Sequence, residues 1–305
     1  MQVVAVGSVA LDTIRARGVC HAEKLGGSAS YFGLAAAHFG PVGLVGVVGD
    51  DFPPEHLELL RARGADLRGL ERRTGRTFRW ETEYAEDLKE RSTLRTEEGV
   101  FAGYGPRLPE DYRDAGALFL ANIDPDLQRA VLAQAGSVPL IAADTMDYWI
   151  RGKPAALEAV IKAAHLLLVN DEEAVQLTGR SSQPEAIVAL HERGPAVVVL
   201  KKGPHGVLAL GPWGWLALPG LPLTTVVDPT GAGDAFAGGL IGFVAGRDWR
   251  QRDVFAPALA VATAIASLVV EEIGVGGLAR DRGTEIRSRC ARLREMTEFE
   301  VPRGF

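Results

Sequence analysis

The residues best suited to chemistry lie in one run, Val226 to Ala245, which reads VVDPTGAGDAFAGGLIGFVA. Its order of residue types predicts a strand, a glycine turn and a helix start in succession. Gly231 and Gly233 accept backbone angles that turn successive amides inward, and a helix beginning near Ala232 aims its unpaired amides and positive dipole end at the same point. Such a place suits a phosphate. Asp234 falls in the first helical turn, within reach of any group that meets the phosphate, where a carboxylate can act as a general base. An aspartate there is by itself most often only a good partner for the helix dipole, so the reading rests on the whole run. No GxxxxGK[ST] occurs in the chain, which excludes the P-loop form of phosphate binding.

Other residue types that could serve such a site are spread along the chain. Asp12 follows a short apolar strand, Val3 to Gly7, where the chain would cross a cleft or simply turn. Gly26-Gly27 opens a helix over Ser30 to Phe39 and lets backbone approach a ligand closely, with Ser28 as an alternative capping residue. Tyr31 and Phe32 could stack on a ring or join the core. Asn170-Asp171-Glu172-Glu173 is an acidic helix start behind a buried strand. Lys201 and Lys202 sit at a bend between two strands, Ala196 to Lys202 and Gly206 to Leu210; alternation points them to opposite sides, and Lys201 is the one expected to face a phosphate.

These residues need a frame, and the rest of the chain supplies one. Its 305 residues are 47% hydrophobic and 24% charged, enough to bury a large core in one soluble domain spanning 1–305. The net charge of -6, without a basic block, argues against nucleic acid and anionic membrane surfaces, so the ligand should be small. Cys20 and Cys290 lie far apart without metal-type spacing, as expected for a reducing cytoplasm. The N-terminus reads directly as a strand rather than a signal peptide. The longest uncharged run, Val254 to Val270, contains Pro257 and reads as a buried core helix.

Short apolar runs at Val42 to Val48, Ala117 to Ala121, Val138 to Ala143 and Leu166 to Val169 alternate with helical patterns, which predicts a parallel sheet built from βαβ units. Asn122, Asp124 and Asp144 end strands at the edge where ligands gather in such sheets, and where turn residues are common anyway. From Thr77 to Phe101 the pattern changes to period two, with Phe78, Trp80, Thr82 and Tyr84 on one face. With residues near Asp12 to Lys24 this predicts a small β-lid, from about 12–24 and 74–103, able to keep water from a reacting phosphate. The charged run Glu86 to Glu98 reads as its solvated edge or hairpin. A charged helix over Thr284 to Glu298 should pack on the outside.

The wording D-P-T-G-A-G-D-A-F-A-G-G resembles the signature of the PfkB (ribokinase-like) carbohydrate kinases. Gly7 to Asp12, Gly26-Gly27, the lid, and Asn170 to Glu173 followed by Leu177-Thr178-Gly179 come in that family's order. The resemblance implies a three-layer α/β/α sandwich with a mainly parallel sheet and a β-lid. It implies an ATP-dependent kinase that phosphorylates a primary hydroxyl of a sugar or nucleoside. By it, Asp234 is the base, and Gly231, Ala232 and Gly233 form the anion hole. Asp12, Gly26, Gly27 and Tyr31 meet the substrate, while Lys201 and Thr230 meet the nucleotide. Asn170 and Glu173 organise water around Mg²⁺, and Asp228 marks the place of a monovalent cation such as K⁺. The helix from Gln251 and the loop Glu271 to Gly277 would complete the adenine side.

Two departures bear on the acceptor. Tyr31 stands where the family's G-G-x-x-x-N has asparagine, and with Phe32 it tilts the expectation toward a nucleoside. Asp144-Thr145-Met146-Asp147 replaces the D-P-N-x-R of the sugar-acid kinases, which argues against a keto-deoxy sugar acid. Relatives dimerise through the lid; Phe78, Trp80 and Tyr84 could do that or cover substrate. A dinucleotide oxidoreductase lacks its G-x-G-x-x-G here, and a catalytically silent sensor sits poorly with an intact Asp234.

Overall fold

The computed structural model describes residues 1–86, 88 and 91–298, so residues 87, 89 and 90 of the charged run lie outside the described residues. The N-terminal third runs β1 (Val3–Val6), β2 (Ala10–Ala16), β3 (Val19–Gly26), α1 (Ser28–Ala36), β4 (Val42–Gly49), α2 (Pro54–Ala62), β5 (Ala65–Arg73), β6 (Arg79–Tyr84) and β7 (Arg91–Glu97). The middle runs β8 (Ala117–Leu120), α3 (Pro125–Leu132), β9 (Ile141–Ala143), α4 (Asp147–Gly152), α5 (Pro154–Ala163), β10 (Leu166–Asn170), α6 (Asp171–Thr178) and α7 (Gln183–His191). Then come β11 (Val197–Lys201), β12 (Val207–Gly211), β13 (Gly214–Leu218), α8 (Ala232–Val244), α9 (Arg252–Val269) and α10 (Gly283–Thr297).

Nine strands form one sheet in the order β13-β12-β11-β10-β9-β8-β1-β4-β5. From β5 to β11 every pairing is parallel, and β12 and β13 add an antiparallel edge. Parallel strands need both faces covered, and both are. One core holds Phe32 and Leu34 of α1, Leu240 and Ile241 of α8, and Leu259 and Ile265 of α9. The other holds Val131 of α3, Leu157 and Val160 of α5, and Ile187 and Leu190 of α7. The expected three-layer α/β/α sandwich is therefore present. Helix α9, by length and composition apolar enough to cross a membrane, buries Phe255, Leu259, Ala262, Ile265 and Leu268 inside the protein.

The lid is a second sheet in the order β3-β2-β6-β7. Its alternation works as read: Thr82 and Tyr84 are buried while Glu83 is exposed. Ile14, Ala16, Tyr84 and Leu88 on its inner side pack against Val226 and Ile273, so the lid is seated on the two loops that flank the central motif.

Four elements differ from expectation. Val226 and Val227 form no strand: Val226 is taken up by the lid's apolar patch, and the Val227 and Asp228 amides donate to Val270 O at 2.7 and 3.2 Å at the end of α9. Ser28 does not cap α1; Gly27 is the N-cap residue, and the Ser28 amide donates to Ser8 Oγ at 3.0 Å instead. Strand β5 went unread because it is a sheet edge whose exposed side carries charge rather than apolar alternation; β13, GWLAL at the other edge, is apolar but only five residues long. Helix α10 does lie outside, but Arg289 is buried and donates to Ser267 Oγ at 2.7 Å and Glu285 Oε1 at 2.7 Å.

Candidate functional site

Helix α8 begins at Gly231, which is left-handed with φ 73°. A Cβ at this position would lie 2.3 Å from the Tyr31 ring, so glycine is required by both conformation and space. The Ala232 amide, expected in the anion hole, points instead at Pro229 O at 3.3 Å, because the Pro229-Thr230 turn needs a closing bond. The amides of Gly231, Gly233 and Asp234 have no hydrogen-bond partner among the described residues. They form the opening in its place, and the Asp234 side chain beside them keeps contact with solvent. Lys201, at the end of β11, brings Nζ to 3.4 Å from where a Cβ on Gly233 would stand. Its Nζ is held by Asp144 Oδ2 at 2.7 Å, and Asp144 Oδ1 in turn accepts from the Thr145 amide at 2.8 Å.

Charge at this opening is finely divided. Burial pushes Asp234 up to about 7, and the Asp144 carboxylate adds to it, while Lys201 and Arg91 pull the other way. Lys201 stays above its ordinary value despite burial, because Asp144 and Glu173 face it. An acid poised near neutrality is what a general base requires.

Asp12 lies on β2, only 4% exposed. The paired glycines make room for it: a Cβ on Gly26 would fall 1.9 Å from Asp12 Oδ2, and one on Gly27, at φ 90°, would fall 2.4 Å from Ser8 O. Burial pushes Asp12 up to about 8; the Gly27 amide counters this, and the carboxylates of Asp228 and Asp234 add to it. Tyr31 lies beneath the turn, its hydroxyl buried without a hydrogen-bond partner among the described residues. The ring is 1% exposed and forms the floor under Gly231, while Phe32 stacks on Phe119 at 4.3 Å between centroids. Both aromatics are core, since α1 is buried along its whole length between the sheet and α8.

Asn170 and Glu173 make a reciprocal capping box on α6: Asn170 Oδ1 accepts from the Glu173 amide at 2.8 Å, and Glu173 Oε2 accepts from the Asn170 amide at 2.8 Å. Glu173 Oε1 is left over. Burial pushes this carboxyl up to about 7 against the pull of Lys201. No cluster of three or more metal-type side chains occurs among the described residues, so a directly caged ion does not fit. A mostly hydrated Mg²⁺ touched through water does fit a lone carboxylate oxygen beside an amide side chain. Asp228 is fully buried, with Oδ1 accepting from the Thr230 amide at 2.9 Å and Oδ2 from the Gly274 amide at 2.8 Å. It clamps the motif to the loop after α9.

Sequence reasoning gave no role to Asp144 or Arg91 and took Tyr84 only as a lid aromatic. Asp144 was noted only as a strand end, although position at the carboxyl edge was its signal. Tyr84 reaches from the lid to Thr230, hydroxyl to hydroxyl at 2.9 Å. Arg91 lay inside the charged run read as solvated edge, and nothing in that run set it apart. A cavity of about 290 Å³ between His21, Lys24, His56 and Ile273 contains none of these residues.

Comparison with known proteins agrees with this geometry. Residues 3–281 match the pfkB family carbohydrate kinase. A cytidine kinase of Thermococcus kodakarensis is 31% identical over 255 residues, 81% of this chain and 90% of that one. In structure, an Escherichia coli protein assigned as a ribokinase II, solved with ATP and Mg²⁺, superposes with TM-score 0.78 at 21% identity over 95% of this chain and 99% of that one. A nucleoside kinase of Burkholderia thailandensis solved with inosine gives 0.75 at 23% identity over 95% and 98%. The chain therefore belongs to the pfkB family of carbohydrate kinases, phosphotransferases with an alcohol group as acceptor.

Proposed function

We propose that this chain transfers the terminal phosphoryl group of ATP to a primary hydroxyl on the ribose of a nucleoside, with Asp234 as the general base. The observation that carries the reading is Asp234 set beside three open amides and Lys201. Asp12 would hold ring hydroxyls of the acceptor. The acceptor's O–H proton passes to Asp234 as its oxygen bonds to the terminal phosphorus, and the bond from that phosphorus to the bridging oxygen breaks to release ADP. The open amides and Lys201 offset the charge spread over the moving group. Asn170 and Glu173 would hold the water shell of a Mg²⁺ ion, which when bound supplies charge neutralisation at the donor phosphates. The nucleoside is favoured over a free sugar by the relatives named for cytidine and solved with inosine, not by Tyr31, which is core.

ADP formation measured with ATP, Mg²⁺ and a panel of nucleosides and sugars tests the acceptor. Turnover confined to free sugars would overturn the nucleoside assignment. Asp234→Asn should lower kcat by about two to four orders of magnitude with little change in ATP binding. In the wild type, kcat/KM should fall as pH drops below about 8, where Asp12 takes up its proton, and more steeply below about 7, where Asp234 does. Near wild-type turnover in the variant would remove Asp234 from this role.

A further inference from the structure

The lid sheet meets the phosphate turn through one polar contact. Tyr84, at the end of β6, brings its hydroxyl 2.9 Å from that of Thr230, the only hydrogen bond between the lid strands and residues 226–245 among the described residues. Both residues are buried, so little water reaches the pair. Burial holds the Tyr84 phenol above its ordinary value, with the bond to Thr230 pulling the other way, and it keeps its proton for donation at neutral pH. Thr230 is held from its other side as well: its amide donates to Asp228 Oδ1 at 2.9 Å, and Asp228 Oδ2 accepts from the Gly274 amide at 2.8 Å. The peptide plane that follows Thr230 carries the Gly231 amide, one of the three open donors. We propose that Tyr84 is a positioning residue, which aims the Gly231 amide at the moving phosphoryl group by holding Thr230 while the lid is seated.

This rests on the kinase reading above and adds to it a link between lid and turn. Gly231 has no side chain to fix its own backbone, so the direction of its amide depends on what anchors the residue before it. With the lid docked, Thr230 is fastened by side chain and amide together. With the lid lifted, Asp228 alone holds it. A donor aimed at developing charge acts mainly in the transition state, so a loosened turn lowers turnover rather than ground-state binding. The Tyr84 ring has a separate duty, packing with Ile14 and Ala16 against Val226 and Ile273, which a phenylalanine ring would retain.

The test compares Tyr84→Phe, Thr230→Val, their double variant, Thr230→Ser and Tyr112→Phe in the full-length protein with ATP, Mg²⁺ and the best acceptor from the panel. Tyr112 is the control for losing a buried tyrosine's hydrogen bond elsewhere, since its hydroxyl donates to Asp66 O on β5 at 3.1 Å. Tyr84→Phe should lower kcat about tenfold, with KM for acceptor and ATP changed less than threefold. Thr230→Val should do the same, and the double variant should be less than threefold slower than the slower single one, because both changes remove one bond. Thr230→Ser keeps the hydroxyl and should recover most of what Thr230→Val loses, while Tyr112→Phe should match the wild type. A kcat within threefold of wild type in Tyr84→Phe overturns the proposal, as does a loss confined to KM. Losses that multiply in the double variant, a Thr230→Ser variant as slow as Thr230→Val, or an equal loss in Tyr112→Phe overturn it too. If Thr230→Val does not fold, Thr230→Ala takes its place in the same comparison. Absence of transfer by the wild type to any acceptor would instead sink the kinase reading itself.

Discussion

At Gly231 one missing side chain serves two needs, a left-handed backbone and a ring packed flat beneath it. Gly231→Ala should meet both costs: about 1 kcal/mol for the backbone and a further penalty from Tyr31, whose buried ring lies directly beneath the turn. Tyr31→Ala removes the ring and should relieve part of that second cost. A double-mutant cycle read by thermal unfolding should give a coupling of about 1 kcal/mol between the two sites. Strict additivity would show that the ring does not set the turn. The motif residues were legible in the sequence because their chemistry depends on local spacing: glycines for the turn and Asp234 for the first helical turn. The sequence left Tyr31 open because burial of an aromatic on a helix is decided by what packs on it, here a glycine in a distant segment. Asp144 and Arg91 reach the site only through tertiary structure.

Helix α6 shows how one element carries two duties. Its capping box satisfies the amides of Asn170 and Glu173, while Glu173 Oε1 remains free to meet solvent or a metal's water. Two substitutions separate these duties. Glu173→Gln keeps an oxygen for the Asn170 amide and removes the charge; the fold should hold, with the melting temperature within about 2 °C of wild type, while the Mg²⁺ concentration needed for half-maximal activity rises about tenfold. Glu173→Ala loses the cap as well and should cost about 1 kcal/mol of stability in addition. An unchanged Mg²⁺ requirement in Glu173→Gln would leave the capping box as the motif's whole purpose. The core strands and helices were readable for the same reason as this motif, since apolar runs and helix starts are local signals. The edge strand β5 was not, because an edge pairs on one side only and its composition follows solvent.

On the scale of the molecule, the cleft gathers acids that the fold would rather not charge. Burial raises Asp12 to about 8, Asp234 to about 7 and Glu173 to about 7. Each is a carboxyl whose folded pKa exceeds its unfolded one, so the unfolded chain ionises first as pH rises. The stability these groups contribute is complete below about pH 4 and is lost progressively up to about pH 8, where Asp12 finally ionises in the fold. Carboxyls such as Asp51 and Asp66, held low by Thr77, Arg79 and Arg68, work in the opposite sense at lower pH. The cleft therefore sets stability against function: Asp12 and Asp234 must be charged to hold a hydroxyl and take a proton, at the pH where charging them weakens the empty protein. Asp12→Asn isolates the effect, because the amide fits the clearance beside Gly26 and cannot ionise. Without ligands, its melting temperature should exceed that of wild type by roughly 2–6 °C at pH 8.5, and the gap should close as pH approaches 4. Acceptor KM should rise at least tenfold in the same variant. A gap that does not change with pH would mean that Asp12 is already ionised at rest, and that the acceptor meets a carboxylate whose charge the fold tolerates without cost.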